Sequence, residues 1–148
     1  MFNEVKDELD DFRSETPQAF FRFLDGILII SIKSEMIIDM KTADRIEHFR
    51  REMTEGFAIP VLIEVPDNRL LLDNEAFHYF SSYEGMKGCS AKALVVNAPL
   101  RVILKNLSVI LHHSTTPFRV FRSKSEAKMW LFEHIPEEEF SEQSSSFV

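Results

Sequence analysis

The stretch Pro60–Glu75, PVLIEVPDNRLLLDNE, constrains the fold more than any other. Val61 to Val65 are β-branched or apolar, apart from Glu64. They are bounded by Pro60 and by the turn-forming Pro66-Asp67-Asn68, which predicts an interior strand. Asp73 is an N-cap residue type set just before a helical pattern that opens at Ala76. Strand, loop and helix N-terminus in that order is where open α/β proteins place their working groups.

Other strands and helices are legible on either side. Phe2, Val5, Leu9 and Phe12 form one apolar stripe, so residues 1–16 read as an amphipathic helical extension that Thr16-Pro17 ends. Ala19–Leu24 and Ile27–Lys33 are strand-like runs around Asp25-Gly26, a type I′ hairpin signal. Thr42 reads as the N-cap of a helix carrying Ala43, Ile46, Phe49 and Met53, with Gly56 as its stop. A second helix is expected from about Asn74 to Tyr83, with Ala76, Phe77, Phe80 and Tyr83 on one side. Ala91–Val96 is an apolar strand, and Pro99 opens the strongest helical stripe, Leu100 to Leu111. Phe118–Phe121 is a last strand, followed by Ser123-Lys124-Ser125-Glu126, a capping box, and a helix anchored in the core by Trp130. Residues 17–135 thus read as one α/β domain, and 136–148 as an acidic, Ser-rich tail.

Strict alternation after a hairpin predicts a mostly parallel sheet, with an antiparallel strand only at its N-terminal side. Val61, Ile63 and Val65 alternate with Leu62 and Glu64, and Ala91, Ala93 and Val95 with Lys92, Leu94 and Val96. One uniformly apolar face and one mixed face follow, with helices mainly on one face. The mixed face would then need a cover, from the N-terminal stripe or a second copy, and a homodimer is expected.

Composition narrows the function. With 148 residues and a formal charge of −7, the chain lacks the clustered Lys/Arg of a nucleic-acid binder. Its longest apolar runs fall short of the ~18 residues of a membrane span. The acidic start, MFNEVKDELDDF, is unlike a signal peptide, and a single cysteine, Cys89 in a loop-like stretch, suits a reducing compartment. The expected location is the cytoplasm.

No motif carries catalysis. The adjacent His112-His113 point about 100° apart on a helix and suit its C-terminal dipole better than a metal. Asp67, Asp73 and Glu75 form an acidic loop better suited to N-capping than to a cation. Glu64, within an apolar strand, reads as exposed on the mixed face. No Ser, His and acid group into a triad, so no enzyme, cofactor or metal is expected.

The ending Pro117-Phe118-Arg119-Val120-Phe121-Arg122-Ser123, with Glu126-Ala127 and Trp130-Leu131, resembles the closing strand and helix of SpoIIAA-like (STAS and SEC14-like) proteins. Ala91–Asn97, the opening Gly26-Ile27-Leu28 and Pro60-Val61-Leu62-Ile63 are similar to other strands of that group, over about residues 19–133. The resemblance implies a four-turn βα superhelix and a non-enzymatic regulatory, protein-interaction or sensing domain. Family members that antagonise anti-sigma factors carry a phosphorylatable Asp-Ser pair at the helix after the central strand. Here that pair is Asp73-Asn74, which has no phosphoacceptor. The expected surface for an unidentified protein partner lies near Asp73, Asn74, Asn97 and Ser123. The alternative, suggested by 14 Phe and the SEC14-like kinship, is a carrier or sensor of a small apolar, lipid-like ligand.

Overall fold

A computed structural model describes residues 13–34, 38–55, 57–66, 74–96 and 116–136. Its centre is a six-stranded sheet in chain order: β1 (Arg13–Glu15), β2 (Ala19–Leu24), β3 (Ile27–Ile32), β4 (Ile59–Glu64), β5 (Cys89–Val95) and β6 (Phe118–Phe121). β1, β2 and β3 pair antiparallel, whereas β3 through β6 run parallel. The β2–β3 turn has Asp25 at φ 55° and Gly26 at φ 84°, the two positive values a type I′ turn requires. Pro60 lies inside β4, and the β4–β5 register shifts between Ile59 and Pro60, which accommodates a residue without an N–H.

Helix α1 (Met40–Met53) joins β3 to β4. Its cap is Asp39 and not Thr42: Asp39 Oδ1 accepts from the Thr42 backbone N–H at 2.9 Å. Carboxylate and hydroxyl are both capping types, and the upstream one takes the position. The helix stops at Thr54, whose N–H and hydroxyl both donate to the Arg50 carbonyl, at 3.1 and 3.0 Å. Gly56, the expected stop, lies outside the described residues. Helix α2 (Asn74–Ser81) is followed by a separate short α3 (Tyr83–Met86), capped by Ser82, whose Oγ accepts from Gly85 N–H. The chain folds back so tightly that a Cβ on Gly85 would lie 2.0 Å from the Tyr79 carbonyl oxygen. This break turns Tyr83 outward, 79% exposed, where an unbroken helix would have buried it. Helix α4 (Lys124–Phe132) follows β6.

The two sheet faces are covered differently. One carries Phe21, Leu28, Ile30, Val61, Ile63 and Leu94, packed under Ala43 and Ile46 of α1, Phe77 and Phe80 of α2, and Met86 of α3. The other carries Ile27, Ile29, Leu62, Ala91, Ala93, Val95 and Phe121 under Ala127 and Leu131 of α4. The expected pairing of faces is therefore reversed at β5. Val61 sits beside Lys92 in the parallel ladder, so Lys92, Leu94 and Val96 share the face of Val61 and Ile63. Lys92 could turn inward because a partner inside neutralises it. The mixed face is in turn covered over β3–β6 by α4, while the expected N-terminal stripe lies outside the described residues.

Three further expectations change. Arg13–Glu15 is an edge strand and not the end of a helix, so the sheet begins before residue 17. Glu15 holds it through Lys33, and Thr16 Oγ1 turns the chain by accepting from Gln18 and Ala19 N–H, both at 3.2 Å. Cys89 is the buried first residue of β5, not part of a loop. Trp130 is half-buried at the rim of the α4 interface, its ring 5.6 Å from Phe121 and 4.5 Å from His134. Residues 1–12, the expected helix over Leu100–Leu111 with His112-His113, and the tail after Pro136 lie outside the described residues.

Leu131, fully buried against the sheet, is the anchor of α4. Leu131→Ala should cost about 2–5 kcal/mol, Ser123→Ala about 1 kcal/mol, and Trp130→Ala less than Leu131→Ala. Urea unfolding midpoints check this order. On the acid side, hydrogen bonds from Thr42 hold the Asp39 carboxyl below its ordinary value of 3.8. Its contribution is complete above 3.8 and is lost as pH falls through the depressed folded value. Asp39→Asn should retain the cap and flatten that part of the acid stability profile, measured by thermal melts against pH.

Candidate functional site

Parallel pairing brings the carboxyl ends of β3 to β6 to one edge of the sheet. There Ser31 and Glu64 are register partners on adjacent strands, and Ser31 Oγ donates to Glu64 Oε1 at 3.1 Å. Lys124, at the start of α4, places Nζ 3.5 Å from the same oxygen. Glu64 is thus partnered, with its side chain 33% exposed, rather than simply open to water. Of the residues expected at this rim, Ser123 is present as the α4 cap, its Oγ accepting from Glu126 N–H at 3.3 Å and lying 3.0 Å from Ser125 Oγ. Asn74 is the first residue of α2. Asp73 and Asn97 lie outside the described residues. The rim carries a hydroxyl, a carboxylate and an ammonium group.

A second constellation, missed in the sequence, lies under the helices. Glu47 and Arg50 of α1 and Lys92 of β5 are all fully buried. Lys92 Nζ donates to Glu47 Oε1 at 2.9 Å, to the Phe80 carbonyl at 2.9 Å and to the Gly85 carbonyl. Arg50 donates to Glu47 Oε2 from Nε at 2.9 Å and Nη2 at 2.7 Å, and Nη2 also reaches the Gly85 carbonyl at 3.1 Å. The ammonium group therefore satisfies a carbonyl at the end of α2, where helices leave acceptors unpaired and the dipole favours a cation. Burial pushes the Lys92 pKa down against the opposing pull of Glu47. Three acceptors around one nitrogen still require three N–H donors, the charged form. Tyr79 OH to Asp44 at 2.6 Å and Arg51 to the Glu84 carbonyl at 2.8 Å extend the docking of α1 onto α2 and α3.

The available clue was positional. Glu47 and Arg50 fall within the stripe of Ala43 and Ile46, and Lys92 interrupts an otherwise apolar strand. Charges of opposite sign in two core faces point to each other. Elsewhere, Pro17, Gln18, Arg45, His48 and Phe49 border an open groove of about 440 Å³ beside α1. Among the described residues no group of His, Cys, Asp and Glu is placed to hold a metal ion, and no helix is long and apolar enough to cross a membrane.

Removing one partner of the buried cluster leaves uncompensated charge. Glu47→Gln and Lys92→Met should each cost about 3–5 kcal/mol. The double variant should lose less than the sum, because the Lys92 charge that Glu47→Gln strands is then gone, although Arg50 still lacks its carboxylate. Chemical denaturation of the three variants measures the coupling.

No curated protein and no solved structure matches the chain. Residues 21–135, from within β2 to just beyond α4, match the family described as a domain of unknown function (DUF7793), and the chain belongs to that family.

Proposed function

We propose that the chain is a non-catalytic, STAS-like regulatory or sensing domain that binds a protein partner at the carboxyl ends of its parallel strands. The observation that carries this reading is the strand order. An antiparallel hairpin followed by parallel strands in strict chain order accords with the βα superhelix of that group. It gathers Ser31, Glu64, Ser123 and Lys124 at the rim where open α/β sheets bind. Analogy of fold alone assigns no chemistry, so the reading rests on this polar rim.

Phosphorylation is not its switch. Asn74 offers no hydroxyl at the family's position. The neighbouring Ser81 is buried with its Oγ donating to the His78 carbonyl, and Ser82 Oγ is engaged by Tyr79 and Gly85. The carrier reading finds less support, because Ile46, Phe77, Phe80 and the Glu47–Arg50–Lys92 cluster fill the sheet–helix space an apolar ligand would need. The proposed setting is the cytoplasm, where a buried free thiol persists. A homodimer would draw on exposed apolar side chains, among which Phe20, Met129 and Phe132 stand out.

Co-purification from the native cell tests the rim. Lys124→Glu should release the partner without lowering the melting temperature, whereas Tyr83→Ser, an exposed side chain on α3, should leave it bound. Equal recovery with both variants would overturn the assignment. Mass spectrometry of the same material should find Ser81 and Ser82 unmodified.

A further inference from the structure

β1 is the first strand of the sheet, and among the described residues nothing pairs with its outer side. The register fixes which groups lie there. Thr16 donates its backbone N–H to the Ala19 carbonyl, and Lys33 to the Gln18 carbonyl. Antiparallel partners alternate between bonded and non-bonded pairs, so Ser14 and Phe21 exchange the bonds between β1 and β2. The backbone groups of Phe20 and Arg22 point to β3 instead. Arg13 and Glu15 therefore turn their N–H and C=O groups away from β2, outward from the sheet.

Their side chains add a charge pattern. Residues two apart share a face, so Arg13 and Glu15 stand together, opposite Arg22 and Phe20. Arg13 and Arg22 are both exposed, and neither has an acidic partner among the described residues. Like charges directly opposite each other are unfavourable. Glu15 is held by Lys33, whose ammonium group also lies 4.8 Å from the centre of the Phe20 ring. Arg13-Ser14-Glu15 thus carries plus, neutral and minus along a free edge.

We propose that this edge pairs with the same edge of a second copy, antiparallel and symmetric about Ser14. In that register Arg13 of each copy lies opposite Glu15 of the other. The backbone groups left free on both copies are the ones brought together, each Arg13–Glu15 pair exchanging both of its N–H to C=O bonds. Each Arg13 gains the carboxylate that its own chain does not give it beside Arg22. The two Ser14 residues meet on the axis as a non-bonded pair, where Cα atoms lie about 4.5 Å apart and small side chains fit. Other registers fail on charge. Parallel pairing sets Arg13 against Arg13, and an antiparallel shift of two residues sets like charges on the axis. Two-fold closure also stops the edge from recruiting further strands. An edge of three residues buries little surface, so the dimer forms in the micromolar to millimolar range. The pairing does not use the rim residues and stands whether or not the rim binds a partner.

Sedimentation equilibrium of the full chain tests this. The mass should rise with concentration from 17.2 kDa towards twice that value. Arg13→Glu and Glu15→Arg each set like charges across the axis, and each should weaken association about tenfold or more. Mixing the two variants restores opposite charges, and the mixture should associate about as tightly as the wild type. Should Glu15→Arg, which also loses the Lys33 pair, not fold, Ser14→Cys decides. Mild oxidation should link its copies through residue 14 far faster than it links Ser34→Cys, exposed but off the edge. A chain that stays monomeric at millimolar concentration, the result expected if its own residues 1–12 cover the edge, overturns the pairing. So does a dimer that neither charge reversal weakens, as contact through Met129 and Phe132 would give. A variant mixture that stays apart, or Ser14→Cys linking no faster than Ser34→Cys, overturns it as well.

Discussion

The Glu47 carboxylate, held between two buried cations, is the interaction on which the helical layer depends. It ties α1 to β5 through Lys92, and both cations hold the Gly85 carbonyl at the sharp turn between α2 and α3. Apolar packing by Ile46, Phe77 and Phe80 supplies most of the burial on this face, but apolar packing is non-directional. The ionic cluster fixes which turn of α1 meets which residue of β5. Charge-assisted bonds of fixed geometry do that better than methylene contacts.

Its net stability is modest by the same physics. Desolvating three ions is expensive, and their mutual attraction roughly offsets the cost. Well-packed apolar residues in their place could give an equally stable chain. What the charges secure is the phase of β5. Were Lys92 turned to the other face, Ala91 and Ala93 would lie under α1 and α2, and Leu94 under α4. Small residues under α4 let that helix sit close to the sheet, where Ala127 and Leu131 meet Ala91, Ala93 and Val95. Layer spacing on one side of the sheet thus depends on a salt bridge on the other.

Local signals were the legible part of the chain. Asp25-Gly26, the β4 run and the Ser123 cap each depend on neighbours a few residues away, and each appears where the residues indicate. What failed depended on distant partners. The phase of β5 is set by Glu47, which is 45 residues away from Lys92. β1 forms because Arg13–Glu15 can pair with β2, an edge position that three polar residues do not announce. The break at Ser82 follows from Gly85 approaching the Tyr79 carbonyl, a contact that helical periodicity cannot foresee. At the rim, Ser123 was legible as a cap, while Ser31 and Lys124 became partners of Glu64 only through strand register and the return of α4.

The two constellations occupy opposite ends of the parallel strands. The rim of Ser31, Glu64 and Lys124 lies at their carboxyl ends, and the Arg50–Gly88 corner lies at their amino ends. Helix α1 spans the distance between them: its cap, Asp39, follows β3, while Arg50 and Thr54 close it beside the Gly88 turn. Its C-terminal half is held by the buried cluster through Glu47 and Arg50, and its N-terminus by the Asp39 cap. Helix α1 thus joins the buried cluster at one end to the segment after β3 at the other. β3 and β4 carry Ser31 and Glu64 to that same end, so the N-terminus of α1 and the polar rim meet on one edge of the sheet.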